Sequence, residues 1–167
     1  MAKAHEIHGW KENWAHRGQV QQLSLVDDSL GAGASIGLVF KTDTDTHTHV
    51  NFTVAAGADG RVMLYEDPTL TSCTLAAPCN MNRKKAGAVG TGTSFGSAPV
   101  FVKGSASVLY DQILPGGIGI AAIGGQFGGT EMDWILSSDT TYILSACNLA
   151  GTADTFGINA AFIVHTA

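Results

Sequence analysis

Charged side chains are scarce in this chain, since Asp, Glu, Lys and Arg make up 14% of its 167 residues and give a formal net charge of -5. A typical soluble domain has about 25% charged residues. The surface must therefore be covered largely by Ser, Thr, Asn and Gly, a neutral composition that repels neighbouring proteins little. The only basic cluster, Arg83-Lys84-Lys85, is too short to indicate a nucleic-acid partner.

Long apolar runs are also lacking. No run approaches the roughly 20 residues that a transmembrane helix needs, and the first 18 residues have no apolar signal-peptide core. We therefore expect no membrane partner and synthesis in a host cytoplasm. Cysteines are few, and the spacings of Cys73, Cys79 and Cys147 match no zinc ribbon or redox motif. Free thiols are the expectation.

Helical periodicity is almost absent, whereas an alternation with a period of two recurs along the chain. Short β-branched or aromatic runs predict strands over residues 20–26, 35–40, 49–56 and 61–66, with four or five more between 99 and 166. Asp59-Gly60 predicts a tight turn, so the third and fourth strands should form a hairpin. The sequence thus predicts an all-β fold, a β-sandwich or jelly roll over residues 20–167, with an extended N-terminal arm over residues 1–19.

Two parts of the β-region carry further expectations. The last strand should bury one alternating face, made of Phe156, Ile158, Ala160, Phe162 and Val164. Trp134 should share a face with Met132 and Leu136, and Tyr142 should open a strand through Ala146. The Gly-rich connections 79–99 and 115–129 are long for loops in a compact domain, so we expect them to form contact surfaces.

Catalytic motifs are weak. The sequence "GTSFG" at 92–96 matches a nucleophile elbow, with Ser94 as the nucleophile and His165 as the downstream base. That elbow needs a buried strand before the serine and a helix after it, and the flanking Gly and Pro residues do not predict them. The Gly run "GGIGIAAIGG" lacks the lysine of a phosphate-binding loop. We expect no enzymatic activity, and hence no catalytic residue and no cofactor.

The most suggestive cluster is "TDTDTHTH", in which Asp43, Asp45, His47 and His49 recur at every second position. Four metal ligands would share one face if the stretch were extended. Asp is depleted in strands and favours turns, so the sequence predicts that a strand ends near Phe40 or Lys41 and that a new one begins around His47 to His49. A turn is the favoured interpretation and no metal site is predicted, with a structural metal as the second alternative and catalysis as the third.

A series of short motifs runs along the chain in the order "VFKT", "HVNFTV", "LYEDPT", "NMNR", "EMDWIL", "TTYIL" and "NL". This order resembles small β-sandwich virion proteins of tailed bacteriophages, a group of capsid decoration and other head-associated structural proteins. The similarity extends from about residue 39 to residue 164. A glycine-led turn would be expected before the asparagine motif, but this chain has "SCTLAAPC" at 72–79. The matching positions are Phe40, Lys41, Thr42, His49, Tyr65, Glu66, Pro68, Asn80, Asn82, Arg83, Trp134, Leu136, Thr141, Tyr142 and Asn148.

The resemblance implies a structural, non-enzymatic virion protein and does not by itself say where on the particle the protein lies. The favoured position is the surface of the phage head, with the major capsid protein and further copies of the chain as partners. A capsid decoration or cement subunit is the favoured function and a homotrimer the favoured state. The arm supplies the predicted assembly residues Ile7, Trp10, Trp14 and His16, because exposed tryptophans on a loose arm would favour aggregation. Packing of the arm on its own sandwich is the competing interpretation.

Two other functions remain open at this point. A tail, fibre or baseplate component that recognises a host glycan would have the same composition and fold. A metal-dependent jelly-roll enzyme would use His47 and His49, but the next glutamate after them is Glu66, well beyond the motif.

Overall fold

The structure is a computed structural model, and it describes Arg17 and residues 19–82, 93–116, 126–127 and 134–166. Every regular element between residues 19 and 166 in these ranges is a β-strand. In chain order the strands are β1 (Val20–Leu30), β2 (Ser35–Lys41), β3 (Thr46–Ala56), β4 (Gly60–Glu66), β5 (Thr69–Leu75), β6 (Cys79–Asn80), β7 (Ser94–Val102), β8 (Ser107–Leu114), β9 (Gln126–Phe127), β10 (Trp134–Leu136), β11 (Thr141–Asn148) and β12 (Asp154–Thr166).

The strands form two antiparallel sheets that pack face to face as a β-sandwich. Sheet A has the order β10-β3-β12-β1-β6, and β9 also pairs with β3. Sheet B has the order β5-β7-β2-β11-β4-β8. The all-β prediction is therefore confirmed. The predicted arm falls largely on residues 1–16 and 18, which lie outside the described residues.

The core lies between the two sheets and is rich in aromatic rings. The predicted inner face of β12 is confirmed, because all five of its side chains are at most 2% exposed. Phe162 from sheet A makes edge-to-face contacts with Phe40 and Phe95 of sheet B, at centroid distances of 4.9 and 4.8 Å. Phe40 also stacks on Tyr142 of β11. Alternation with a period of two thus places one row of each strand in this interior.

The predicted hairpin between the third and fourth strands is wrong. β3 pairs with β9, β10 and β12 in sheet A, whereas β4 pairs with β8 and β11 in sheet B. The segment around Asp59 instead carries the chain across the sandwich. The Asp59 carbonyl accepts a hydrogen bond from the Leu149 amide at 2.8 Å, and the Asp59 side chain accepts one from the Gly116 amide at 2.8 Å. The chain therefore turns near Asp59 and Gly60, but the two flanking strands enter opposite sheets and do not pair with each other.

Three strands were not predicted. β5 is rich in Ser and Thr, so it carries no strong alternation. β6 and the first residues of β7 fall in the connection 79–99, for which the sequence predicts a loop. β9 falls in the connection 115–129. Elsewhere the predicted strands are confirmed with small differences at their ends.

Buried polar side chains fix the ends of the sandwich. Asn148 is fully buried, and its amide donates to the carbonyls of Leu30 and Thr152 at 2.8 and 2.9 Å. The Thr42 hydroxyl donates to the carbonyl of Ser137 at 2.6 Å and accepts the Thr140 amide at 3.0 Å. Both residues satisfy loop backbone that would otherwise be buried without hydrogen bonds.

Candidate functional site

The stretch "TDTDTHTH" divides into a turn and the start of a strand, as predicted. β2 ends at Lys41 and β3 begins at Thr46. Asp43 accepts a hydrogen bond from the Thr44 amide at 2.7 Å through its side chain, and its carbonyl accepts the Asp139 amide at 3.3 Å. The carboxylate therefore stabilises the turn locally, as short polar side chains do in turns.

The two histidines of the same stretch lie on the outer face of β3, where a third imidazole joins them. His165 of β12 is directly opposite His47 in the register. The Nε2 atoms of His165 and His49 are 3.2 Å apart, and the two ring centroids are separated by 5.3 Å. The His47 ring is 5.5 Å from the His165 ring. Sequence analysis placed His47 and His49 on one face but could not bring His165 to them, because it comes from a strand 116 residues away.

Within the described ranges, no group of three or more His, Cys, Asp or Glu side chains is arranged to hold a metal ion. The pairing of β3 with β12 nevertheless gives His49 a close imidazole partner. In the register of the sheet, His49 lies between Ile135 of β10 and Ile163 of β12.

The nucleophile elbow that a serine hydrolase needs is not formed at Ser94. Ser94 is the first residue of β7 in sheet B, so it opens a strand instead of following one. His165 lies near the end of β12 in sheet A. The strained strand-to-helix turn that presents a nucleophilic serine is not formed by residues 93–102.

A polar cleft of about 390 Å³ opens at one end of sheet B and is lined by Glu66, Asp67, Ser105, Ser107, Ser137, Asp139 and Thr140. The Tyr142 hydroxyl donates to Glu66 Oε1 at 2.8 Å and accepts the Ser137 amide at 2.8 Å. Burial raises the pKa of Tyr142, with smaller opposing effects from its hydrogen bonds. Asp139 is paired with Lys41 at 3.1 Å. These contacts hold the loop after β10 against β2 and β4.

A second, smaller groove of about 180 Å³ lies on the outer face of sheet A. Amide side chains dominate its lining, which consists of Gln22, Asn51, Thr53, Met81, Asn159 and Ala161. Gln22 donates to the Asn159 side chain at 2.8 Å, and the Ser24 hydroxyl donates to the same oxygen at 3.2 Å. The groove therefore presents neutral hydrogen-bonding groups.

The outer face of sheet B carries an apolar cluster that is separate from the core. Its centre is formed by Val39, Tyr65 and Ile143 on the neighbouring strands β2, β4 and β11, and each of these side chains is at most 7% exposed. Phe101 lies 5.3 Å from the Tyr65 ring, and the surrounding shell is completed by Met63, Leu70 and Cys73. Burial raises the pKa of Tyr65. We call this surface the apolar face of sheet B.

This apolar face continues onto the edge strand β8. Val108, opposite Tyr65 in the register, is 37% exposed, and Ile113 is 61% exposed. Between them Asp111 pairs with Arg61, with an Nε to Oδ1 distance of 2.7 Å. Their mutual hydrogen bonds lower the pKa of Asp111 and raise that of Arg61. The edge thus combines exposed apolar groups with one neutralised ion pair.

The predicted assembly residues Ile7, Trp10, Trp14 and His16 lie outside the described residues, so their positions stay a prediction. The same is true of much of the two predicted contact loops. In the described part of the chain, no helix is long and apolar enough to cross a membrane. Cys73, Cys79 and Cys147 are free thiols, as expected.

Comparisons of this chain with protein-family models, with curated proteins and with solved structures gave no match. The likeness to phage virion proteins therefore depends on the short motifs quoted above. In the fold, several of those positions have structural roles. Thr42, Glu66 and Tyr142 form the network at the end of sheet B, and Asn148 anchors loop backbone.

Proposed function

We propose that this chain is a structural protein of a tailed-phage particle, a capsid decoration or cement subunit that binds the outside of the head as a homo-oligomer, with a trimer favoured. The observation that carries the proposal is the pair of exposed apolar side chains, Val108 and Ile113, at the β8 edge of the apolar face of sheet B, on a sparsely charged sandwich. Exposed apolar patches are typical of surfaces that meet other proteins. A low charge density also lowers the cost of removing water from such a surface.

Contact energy multiplied over many copies would provide the function without any chemical step. A standard protein interface buries roughly 1,600 Å² in total, and repeated contacts around a shell add by multivalency. A subunit that bridges neighbouring capsomers would resist the internal pressure of packaged DNA. The major capsid protein is the partner that this proposal requires, and no nucleic acid or membrane takes part.

Binding of the purified protein to DNA-filled heads tests the proposal, and one pair of variants assigns the surface. Val108→Asp places a carboxylate beside Tyr65, at a partly exposed position on the edge strand. If this face contacts the capsid, head binding should weaken by more than about tenfold, because a buried unpaired carboxylate costs more than 1.4 kcal/mol.

Ile135→Asp is the matched control, since Ile135 is 70% exposed on the outer face of sheet A. It should leave head binding unchanged. Both variants should melt near the wild-type temperature, because both side chains contact solvent. Equal loss of binding in the two variants would contradict the assignment of the face, and no saturable binding of the wild type to heads would contradict the proposal itself.

A tail, fibre or baseplate component that recognises a host glycan is the second candidate, and the amide-lined groove of sheet A favours it. Neutral amides such as Asn51 and Asn159 suit the hydroxyl groups of sugars, which both donate and accept hydrogen bonds. Asn51→Ala should then abolish binding to host-cell polysaccharide and leave head binding intact. The opposite outcome would favour decoration.

A further inference from the structure

The imidazole pair on the outer face of sheet A is the feature that the proposed function leaves unused. His49 and His165 come from neighbouring strands, and their Nε2 atoms lie 3.2 Å apart. Both side chains are half-buried. The two residues lie within paired strands, so the register of β3 and β12, and no turn or loop, brings them together.

Two imidazole nitrogens that lie 3.2 Å apart are joined either by a hydrogen bond or by a bound cation. A neutral imidazole carries one N–H and one lone pair, so two Nε2 lone pairs that face each other repel unless a proton or a cation lies between them. A shared proton satisfies the pair by a hydrogen bond. A metal ion satisfies it by accepting both lone pairs.

We propose that His49 and His165 bind one divalent transition-metal ion of the zinc class through their Nε2 atoms. Zinc binds histidine nitrogen at about 2.0–2.1 Å, so two ligands of a tetrahedral ion lie about 3.3 Å apart, close to the observed separation. Imidazole suits Zn²⁺, Cu²⁺ and Ni²⁺, whereas Mg²⁺ and Ca²⁺ prefer oxygen ligands. Water completes the coordination.

His47 is not part of the proposed pair, although it lies on the same strand and face. Its ring is 5.5 Å from that of His165, and the described residues hold no group of three metal-binding side chains. Asp43 is engaged with the Thr44 amide in the turn. These residues therefore serve as internal controls.

The ion would tie β3 to β12 at the end of sheet A where the chain enters β1. There the Val164 amide donates to the Gln19 carbonyl at 3.0 Å. Metal bound only by the folded chain stabilises it by mass action. The sequence does not predict this metal site, because His165 is 116 positions from His49 and only the strand register brings them together.

Zinc binding to the untagged, metal-stripped protein tests this proposal. Titration calorimetry should give one site per chain, and Zn²⁺ should raise the melting temperature. The first 16 residues also contain His5, His8 and His16. The measurement is therefore repeated with all three changed to Gln, and the site should persist.

His49→Gln and His165→Gln should each weaken Zn²⁺ binding by at least about tenfold, because loss of a second-shell partner alone costs about 10–100-fold. His47→Gln and Asp43→Asn should leave the affinity within about twofold. The proposal fails if the wild type binds no Zn²⁺, which would mean that the pair shares only a proton. It also fails if the site survives both His49→Gln and His165→Gln, or disappears with the three arm histidines.

Discussion

At the scale of single residues, the polar side chains at strand ends have structural roles, because their hydrogen bonds hold the adjoining loops in place. Tyr142 is fully buried, yet its hydroxyl reaches Glu66 and the Ser137 amide. Asn148 makes comparable contacts with loop carbonyls. Buried polar groups of this kind specify one arrangement of the loops because each lost partner leaves an unpaired group.

The tyrosines give a testable alkaline dependence. Burial raises the pKa of Tyr65, Tyr110 and Tyr142, and that of Tyr110 to about 12. These are all the tyrosines of the chain. Above about pH 10 the unfolded chain loses phenolic protons that the folded chain keeps, so the contribution of the tyrosines to the free energy of unfolding should be constant below pH 10 and fall above it.

Tyrosinate absorbance from pH 9 to 12 measures this directly. The native protein should titrate later than the same protein in denaturant, and Tyr110→Phe should remove the latest step. Identical titration curves in the folded and unfolded states, with an unchanged urea midpoint at pH 11, would contradict the prediction.

At the scale of the elements, alternation predicted most strands and failed to predict their partners. β12 shows its buried row directly in the sequence, from Phe156 to Val164. The partners of β3 could not be predicted from the Asp59-Gly60 turn, because β9, β10 and β12 all lie more than 70 positions further along the chain. No two consecutive strands among the described elements pair with each other. Local signals therefore predict strands well and topology poorly in this fold, and the His49–His165 approach was hidden for the same reason.

The crossing at the start of β4 depends on a close approach that only glycine permits. A Cβ at Gly60 would lie 2.6 Å from Cε1 of the buried Phe156 ring and 3.2 Å from the Cys147 carbonyl oxygen. Gly60→Ala should therefore lower the free energy of unfolding by about 1–3 kcal/mol, because a close-packed core cannot absorb the added methyl group. Denaturant unfolding followed by tryptophan fluorescence measures the change.

Gly151→Ala is the matched control, since a Cβ there would meet no heavy atom within 4 Å. Its effect should stay within about 0.5 kcal/mol. Equal stability of the two variants would show that β4 and β12 do not meet as described.

At the scale of the whole molecule, the proposed structural role requires a surface that other proteins can cover, and the sandwich has few charges together with exposed Val108 and Ile113 on β8. The N-terminal arm is the other part of the proposal, and it is predicted from the sequence alone. Trp10 and Trp14 precede the first strand, which begins at Val20. Two such side chains are typical anchors of protein interfaces.

Removal of residues 1–16 should leave a folded sandwich and weaken head binding by more than about a hundredfold, since burial of two tryptophans contributes several kcal/mol. The double change Trp10→Ala with Trp14→Ala should reproduce most of the loss. If the tryptophans instead pack on their own sandwich, the double variant will melt at a lower temperature in isolation. Head binding at wild-type strength by the truncated chain would remove the arm from the mechanism.

The most direct test of the central claim is the location of the protein on the particle that contains it. Virions are dissociated, DNA-filled heads are separated from tails on a density gradient, and the chain is quantified in each fraction. The decoration account predicts that the protein remains with the heads, at a fixed number of copies per head. Recovery of the protein with the tails, or its absence from purified particles, would contradict the account.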